Sequence, residues 1–216
     1  MVALAAAIVW EGRARFFGAP PPPPSPINVP IPTEPIAIGE SAIRGVLSAP
    51  VAIIEYADFE CGSCAQFALV VEPGLLREYV DKGRVLVAFK HFPLQSHPGA
   101  RNAARAAWCA SQQGKFWEMR DKLFRFRGGL EDSDIEAAAQ AVGLDMALFN
   151  FCRATVEADQ QVQRDKAEGE RLKVPGTPTF FVGRVMPDHR VQVTDAIVGP
   201  TSTEGLQGAL RRLFGK

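Results

Sequence analysis

Hydrophobic positions along the chain change period several times, and each change marks a predicted element. Val51-Ala-Ile-Ile-Glu-Tyr-Ala57 is a β-branched-rich run with the length of a buried strand. From Gly62 onward Phe67, Val70, Val71, Leu75, Leu76 and Tyr79 recur at helical spacing as far as Val80. Pro73 inside that pattern predicts a kink or break, because proline lacks the N–H and its ring crowds the preceding turn. Lys82-Gly83 leads into a second strand, Arg84-Val-Leu-Val-Ala-Phe-Lys90. Strand, helix and strand make a βαβ unit, with parallel strands and a right-handed crossover.

From His97 to about Leu172 the pattern turns to alanine-rich helical stretches, punctuated at Gly114, Gly128-Gly129 and Gly143, with Asp132-Ser133-Asp134 opening a helix at Ile135. Beyond Val174-Pro-Gly-Thr-Pro178 two more strands are predicted, Thr179–Val182 and Val191–Val198, joined by a polar turn through Pro187 and Asp188. Thr201-Ser-Thr203 caps a last helix, Glu204–Phe214. The order β, α, β, helical block, β, β, α describes an α/β domain over 36–216, with a helical insertion at about 95–173 between the second and third core strands.

Composition changes the picture at the front of the chain. Nine of the sixteen residues from Pro20 to Pro35 are proline, which favours extended polyproline II and makes 20–35 a linker: a stiff spacer in one reading, a plain surface connection in the other. Residues 1–19 form an apolar N-terminal segment whose core, Val2 to Trp10, is shorter than the roughly 20 residues of a membrane span and lacks a leading basic stretch. We read it as the remnant of a signal peptide or signal anchor, and hence as a membrane tether; the alternative is a disordered or packed tail. With 24 basic and 24 acidic residues the chain carries no net charge, which gives no nucleic-acid footprint. The four cysteines are too few for a disulfide-stapled mini-protein of this length.

Two of those cysteines carry the candidate chemistry. Cys61-Gly62-Ser63-Cys64 falls where the first strand hands over to the first helix, so the first sulfur meets unsatisfied backbone N–H groups and the positive end of the helix dipole. That lowers the energy of the Cys61 thiolate and makes it both nucleophile and leaving group, with Cys64 as the more buried resolving thiol. The same spacing supplies half of a zinc site, but no second Cys-x-x-Cys or His-x-x-x-His accompanies it, and no metal or cofactor is assigned. The second motif is Val174-Pro-Gly-Thr-Pro-Thr179, where a proline directly before a strand makes a cis peptide plausible.

Together the two motifs resemble those of the thioredoxin superfamily. Glu55-Tyr-Ala-Asp58-Phe-Glu-Cys61, Phe92-Pro93-Leu94, Gln113-Gly-Lys-Phe-Trp117, Gly176-Thr-Pro-Thr-Phe-Phe181 and the insertion resemble its DsbA-like branch, from about Ile36 to the C-terminus. The resemblance implies a thioredoxin-like fold and a protein thiol-disulfide oxidoreductase acting on cysteine-containing exported proteins. It also implies an extracytoplasmic site of action and a membrane partner that resets the cysteines. Pro178 is then cis and lies against the Cys61–Cys64 disulfide, while Thr177 binds an extended substrate segment. One departure stands out: Gly62-Ser63 replaces the Pro-His of the best-known members, which leaves reductase or isomerase activity open beside oxidase activity, with a non-catalytic chaperone as the reading from another class.

Glu55 resembles the family's buried acid and is expected to relay protons for Cys64, unless it points outward or pairs with Lys90 on the next strand. Some DsbA-like proteins carry a second cysteine pair in the insertion, which favours a structural Cys109–Cys152 bridge over two separate buried thiols. Phe116, Trp117, Phe124 and Phe126 are expected to pack the insertion or, where exposed near the cysteines, to line a peptide groove. His91, His97 and His189 are given no role.

Overall fold

The computed structural model describes residues 29–126, 128–199 and 203–215. The apolar segment, the linker as far as residue 28, and Thr201 and Ser202 of the expected cap lie outside the described residues.

A six-stranded sheet in the order β1-β6-β5-β3-β4-β2 forms the middle layer. Its members are β1 (Ile36–Ala37), β2 (Ala42–Arg44), β3 (Val51–Ala57), β4 (Val85–His91), β5 (Thr179–Val185) and β6 (Arg190–Val198). Only β3 and β4 run parallel, as the βαβ reading requires; the other neighbours are antiparallel. Both faces of β3 are buried, so its residues alternate between two apolar layers instead of between core and solvent. Val51 and Ile53 pack with Phe180 and Val182 beneath the helix that follows β3 and beneath α8 (Thr203–Phe214). Ala52, Ile54 and Tyr56 pack on the other face, with Phe92 and Phe181.

The helix between β3 and β4 does not break at Pro73. It runs from 62 to 80 as α1 (Gly62–Gln66), a wide turn (Phe67–Val71), α2 (Glu72–Leu75) and a second wide turn (Leu76–Val80). In the wide turns the backbone bonds five residues back, as from Glu72 N–H to Phe67 C=O. Such π-turns let a helix stay continuous around a residue that cannot make the ordinary bond.

The insertion comprises α3 (Ala100–Ser111), α4 (Phe116–Leu123), α5 (Asp132–Ala141), α6 (Met146–Ala154) and α7 (Val156–Arg171). Alanines of α3 fill its centre against Phe149, Ile135 and Met119, the close-packed interior that small side chains permit. Cys109 and Cys152 form a disulfide between α3 and α6, with Cα atoms 5.8 Å apart. Closing a separation of 43 residues contributes about 4 kcal/mol in the chain-entropy account. Gly169 lets α7 approach the sheet, for a Cβ there would lie 2.6 Å from the Phe92 ring.

Candidate active site

Cys61 is the N-cap of α1, in extended backbone conformation, and its sulfur accepts from the Cys64 N–H at 3.4 Å. Ser63 Oγ is 3.2 Å from the same sulfur. The reach of the helix start thus converts Gly62-Ser63 from a spacer into a donor set. Facing them is the loop before β5. The Thr177–Pro178 peptide is cis, and the Thr177 carbonyl accepts from the Cys61 thiol at 3.2 Å. That loop is tied down by Thr179 Oγ1 donating to Gly176 C=O and by Gly199 N–H donating to Pro178 C=O. Cys61 is 8% exposed and Cys64 fully buried, the order expected of a nucleophile and its resolving partner.

The two thiols are electrostatically unlike. The Cys64 thiol donating to the Cys61 sulfur, helped by the Ser63 hydroxyl and the Cys64 N–H, outweighs desolvation and brings Cys61 down to about 5. Burial, the bond to Cys61 and the neighbouring thiolate push Cys64 well above an ordinary thiol. One proton is therefore held on Cys64 while Cys61 carries the negative charge.

Glu55 is fully buried on the β3 face that lies under the 62–80 helix, and neither carboxylate oxygen has a hydrogen-bond partner. Burial raises it to about 8, against the pull of Arg120 and with a further push from Glu72 and Cys61. The pairing with Lys90 does not form. Lys90 stands opposite Tyr56 in the β3–β4 register, so its side chain leaves the sheet on the other face. There it meets Glu168 at 3.0 Å and Asp165 at 3.7 Å.

Several charged residues that the sequence left unremarked surround the site. Arg120, on α4, is fully buried and pairs with Glu72 of α2, which Arg44 also contacts at 3.1 Å. Asp58 accepts from the N–H groups of Glu60 and Leu94 and lies 2.9 Å from His97 Nδ1, so His97, given no role from sequence, supports the cysteine loop. Glu60, immediately before Cys61, accepts three backbone N–H groups of the insertion. In sequence each looks like an ordinary polar residue of a turn or amphipathic helix; the Asp58-Phe-Glu-Cys61 cluster was the only available signal. Beside Cys61 runs a groove of about 470 Å³ lined by Phe59, Ala65, Leu69, Val70, Phe124 and Phe126. Phe116 and Trp117 pack internally, whereas Phe124 and Phe126 reach this groove.

The thioredoxin family model matches residues 38–196. Over 190 residues, 87% of this chain, the sequence is 36% identical to the Na(+)/H(+) antiporter NhaA 3 of Salinispora tropica, of which the match covers 26%. The chain spans about a quarter of the length of the curated relatives it matches. In fold it is similar to α-DsbA1 of Wolbachia pipientis, with a TM-score of 0.71 at 22% identity, covering 83% of this chain and 94% of that one. It is also similar to a thioredoxin-like oxidoreductase of Silicibacter pomeroyi DSS-3, with a TM-score of 0.65 at 25% identity, covering 82% and 94%.

Proposed function

The chain belongs to the thioredoxin family and has the fold of its DsbA-like members, and from that premise we propose that it is a protein thiol-disulfide oxidoreductase working through Cys61 and Cys64, in the oxidising direction. The observation that carries the reading is the asymmetry of the two sulfurs: a low-energy Cys61 thiolate held by Cys64 and Ser63 at the start of a helix, beside an apolar groove.

The reaction starts from the Cys61–Cys64 disulfide. A substrate thiolate attacks Cys61 Sγ; a substrate–Cys61 bond forms, the Cys61–Cys64 bond breaks, and Cys64 leaves with the electron pair. Because Cys64 holds a proton tightly, it takes one up at this step, and the protonated Glu55 carboxyl is the proposed source. A second substrate thiolate then attacks the substrate sulfur of the mixed disulfide and releases Cys61, which leaves readily because its thiolate is stabilised. The substrate has lost two electrons, and the enzyme holds them as Cys61 thiolate and Cys64 thiol. Thr177 and Pro178 are assigned to binding the extended substrate segment, and the groove to its apolar side chains.

Reoxidation requires an electron acceptor, proposed to be a membrane redox partner. The site of action is proposed to be extracytoplasmic, with the N-terminal segment as tether. The match to part of a membrane antiporter supports a place at the membrane surface, alongside such a protein or joined to one. Among the described residues no helix is long and apolar enough to cross a membrane. The rival direction, reduction or isomerisation, draws on the absence of a histidine between the cysteines.

Equilibration of the Cys61/Cys64 couple in glutathione buffers tests the proposal. A potential toward about −120 mV supports an oxidase, and one toward about −270 mV a reductase. Full biological activity after replacing both Cys61 and Cys64 would turn the reading to a chaperone.

A further inference from the structure

Glu60 is the residue before the nucleophile, yet its carboxylate turns away from the sulfur and toward the insertion. One oxygen, Oε2, accepts from Gly99 N–H at 2.9 Å and Ala100 N–H at 3.0 Å, the first turn of α3. The other, Oε1, accepts from Leu130 N–H at 2.7 Å. Its own N–H donates to Asp58 Oδ1 at 2.7 Å, and the next N–H, of Cys61, donates to Asp58 C=O at 3.1 Å. A single side chain thus joins the cysteine loop to two separate segments of the insertion. Space has been left for it: a Cβ on Gly99 would sit 2.7 Å from Oε1 and 2.3 Å from Leu130 C=O.

What Glu60 holds is a wall of the groove. Between the end of α4 at Leu123 and the start of α5 at Asp132 the chain has no helix or strand among the described residues, and this stretch carries Phe124, Phe126 and Gly128 on the side of the groove facing α1. Phe124 is fixed to Phe59 by ring contact at 5.1 Å, and the far end is fixed by the Leu130 N–H on Glu60. Resting on the oxidoreductase reading, we propose that Glu60 is a positioning residue for substrate peptides: it anchors the wall carrying Phe124, Phe126 and Gly128 to the cysteine loop, so that apolar substrate segments bind beside Cys61 in register with the sulfur.

A carboxyl side chain meets this donor set and an amide does not. Three donors converge on its two oxygens, and an amide must present NH₂ to one side, so Glu60→Gln loses either the α3 bonds or the Leu130 bond and adds a donor–donor contact. Aspartate is one methylene too short to reach all three.

The test measures oxidation of a dithiol peptide with an apolar flank, and of a small dithiol such as dithiothreitol, by the wild-type protein and by Glu60→Gln. We expect KM for the peptide to rise about tenfold, the loss of one charged hydrogen bond, with kcat, the dithiothreitol rate and the Cys61 thiolate titration unchanged. A Gly99→Ala protein, which retains Glu60 but drives its partners apart, should share the peptide defect. An unchanged peptide KM in Glu60→Gln overturns the proposal, as does an equal loss with both substrates or a shifted Cys61 titration, which would make Glu60 a tuner of the thiolate. Should the variants fail to fold, hydrogen exchange on the wild-type protein decides: peptide binding should slow exchange of the Leu130 amide, and no change there refutes the wall. A wild-type protein that oxidises neither substrate refutes the oxidoreductase reading itself.

Discussion

Replacing Ser63 with alanine removes one of the donors to the Cys61 thiolate while leaving the helix start and the Cys64 N–H bond in place. A hydrogen bond to a charged group is worth about 1.5–3 kcal/mol, and the lower end corresponds to about one pKa unit. The Cys61 midpoint should therefore rise from about 5 to roughly 6. The thiolate exists only in the reduced enzyme, so weakening it raises the energy of that form alone. The dithiol becomes easier to oxidise and the reduction potential falls, by about 30 mV for a two-electron couple. Two measurements check this: absorbance of the reduced protein at 240 nm across pH, and the redox equilibrium with glutathione. The same linkage fixes a pH dependence. A depressed thiol stabilises the reduced fold fully above its unfolded value of about 9. That contribution shrinks as pH falls and is gone below about 5. Stability of reduced over oxidised protein should therefore grow from pH 5 to 9 in the wild type and over a narrower span in Ser63→Ala. A Ser63→Ala midpoint unmoved from wild type would refute the assignment of the serine as a donor.

Two further outcomes follow from the buried charges. Glu55 is raised to about 8, so ionising it costs the fold stability increasingly as pH climbs from about 4.5 to 8. Glu55→Gln should accordingly raise the thermal midpoint at pH 9 by the equivalent of about 1–3 kcal/mol, with little gain at pH 4, and should slow formation of the mixed disulfide; equal effects at both pH values would contradict the burial argument. Arg120→Met leaves Glu72 buried with only Arg44, and should cost about 3–5 kcal/mol by denaturant unfolding. Arg120→Met with Glu72→Leu should recover most of the loss, which a failure to exceed the single variant would disprove.

Much of the framework could be read from periodicity because β3 and β4 are buried on both faces and so appear as unbroken apolar runs. Val51–Ala57 matches its prediction, and β4 shifts by one residue, to Val85–His91. The predicted third core strand stops at Val182, whereas β5 runs to Val185. Gly183 marks a bulge where the backbones of β5 and β6 close in, and a Cβ there would lie 2.1 Å from Gln192 C=O. The edge strands β1 and β2 escaped notice, since two or three residues carry no period. At the site, Cys61, Cys64, Thr177, Pro178 and Glu55 were nominated by motif and resemblance, and the fold brings them into one neighbourhood. The Arg120–Glu72 pair could not be nominated. Its members stand 48 positions apart, each looking like the polar side of an amphipathic helix, and only the docking of α4 on α2 makes them partners.

The register of the sheet gives the molecule two poles. Ile36 pairs with Val191, Val191 stands beside Val185, and Arg184 stands opposite Val51, so the chain comes into the sheet at the end where β3 begins. Cys61 lies past the end where β3 finishes, about 20 Å away at the usual rise per residue. The sulfurs therefore stand at the opposite pole of the sheet from the strand by which the chain enters it. Val29 is buried in the apolar layer with Ile54, Tyr56 and Phe92, so the chain is already packed against the domain before β1 joins the sheet, and the sulfur pole is left clear of it.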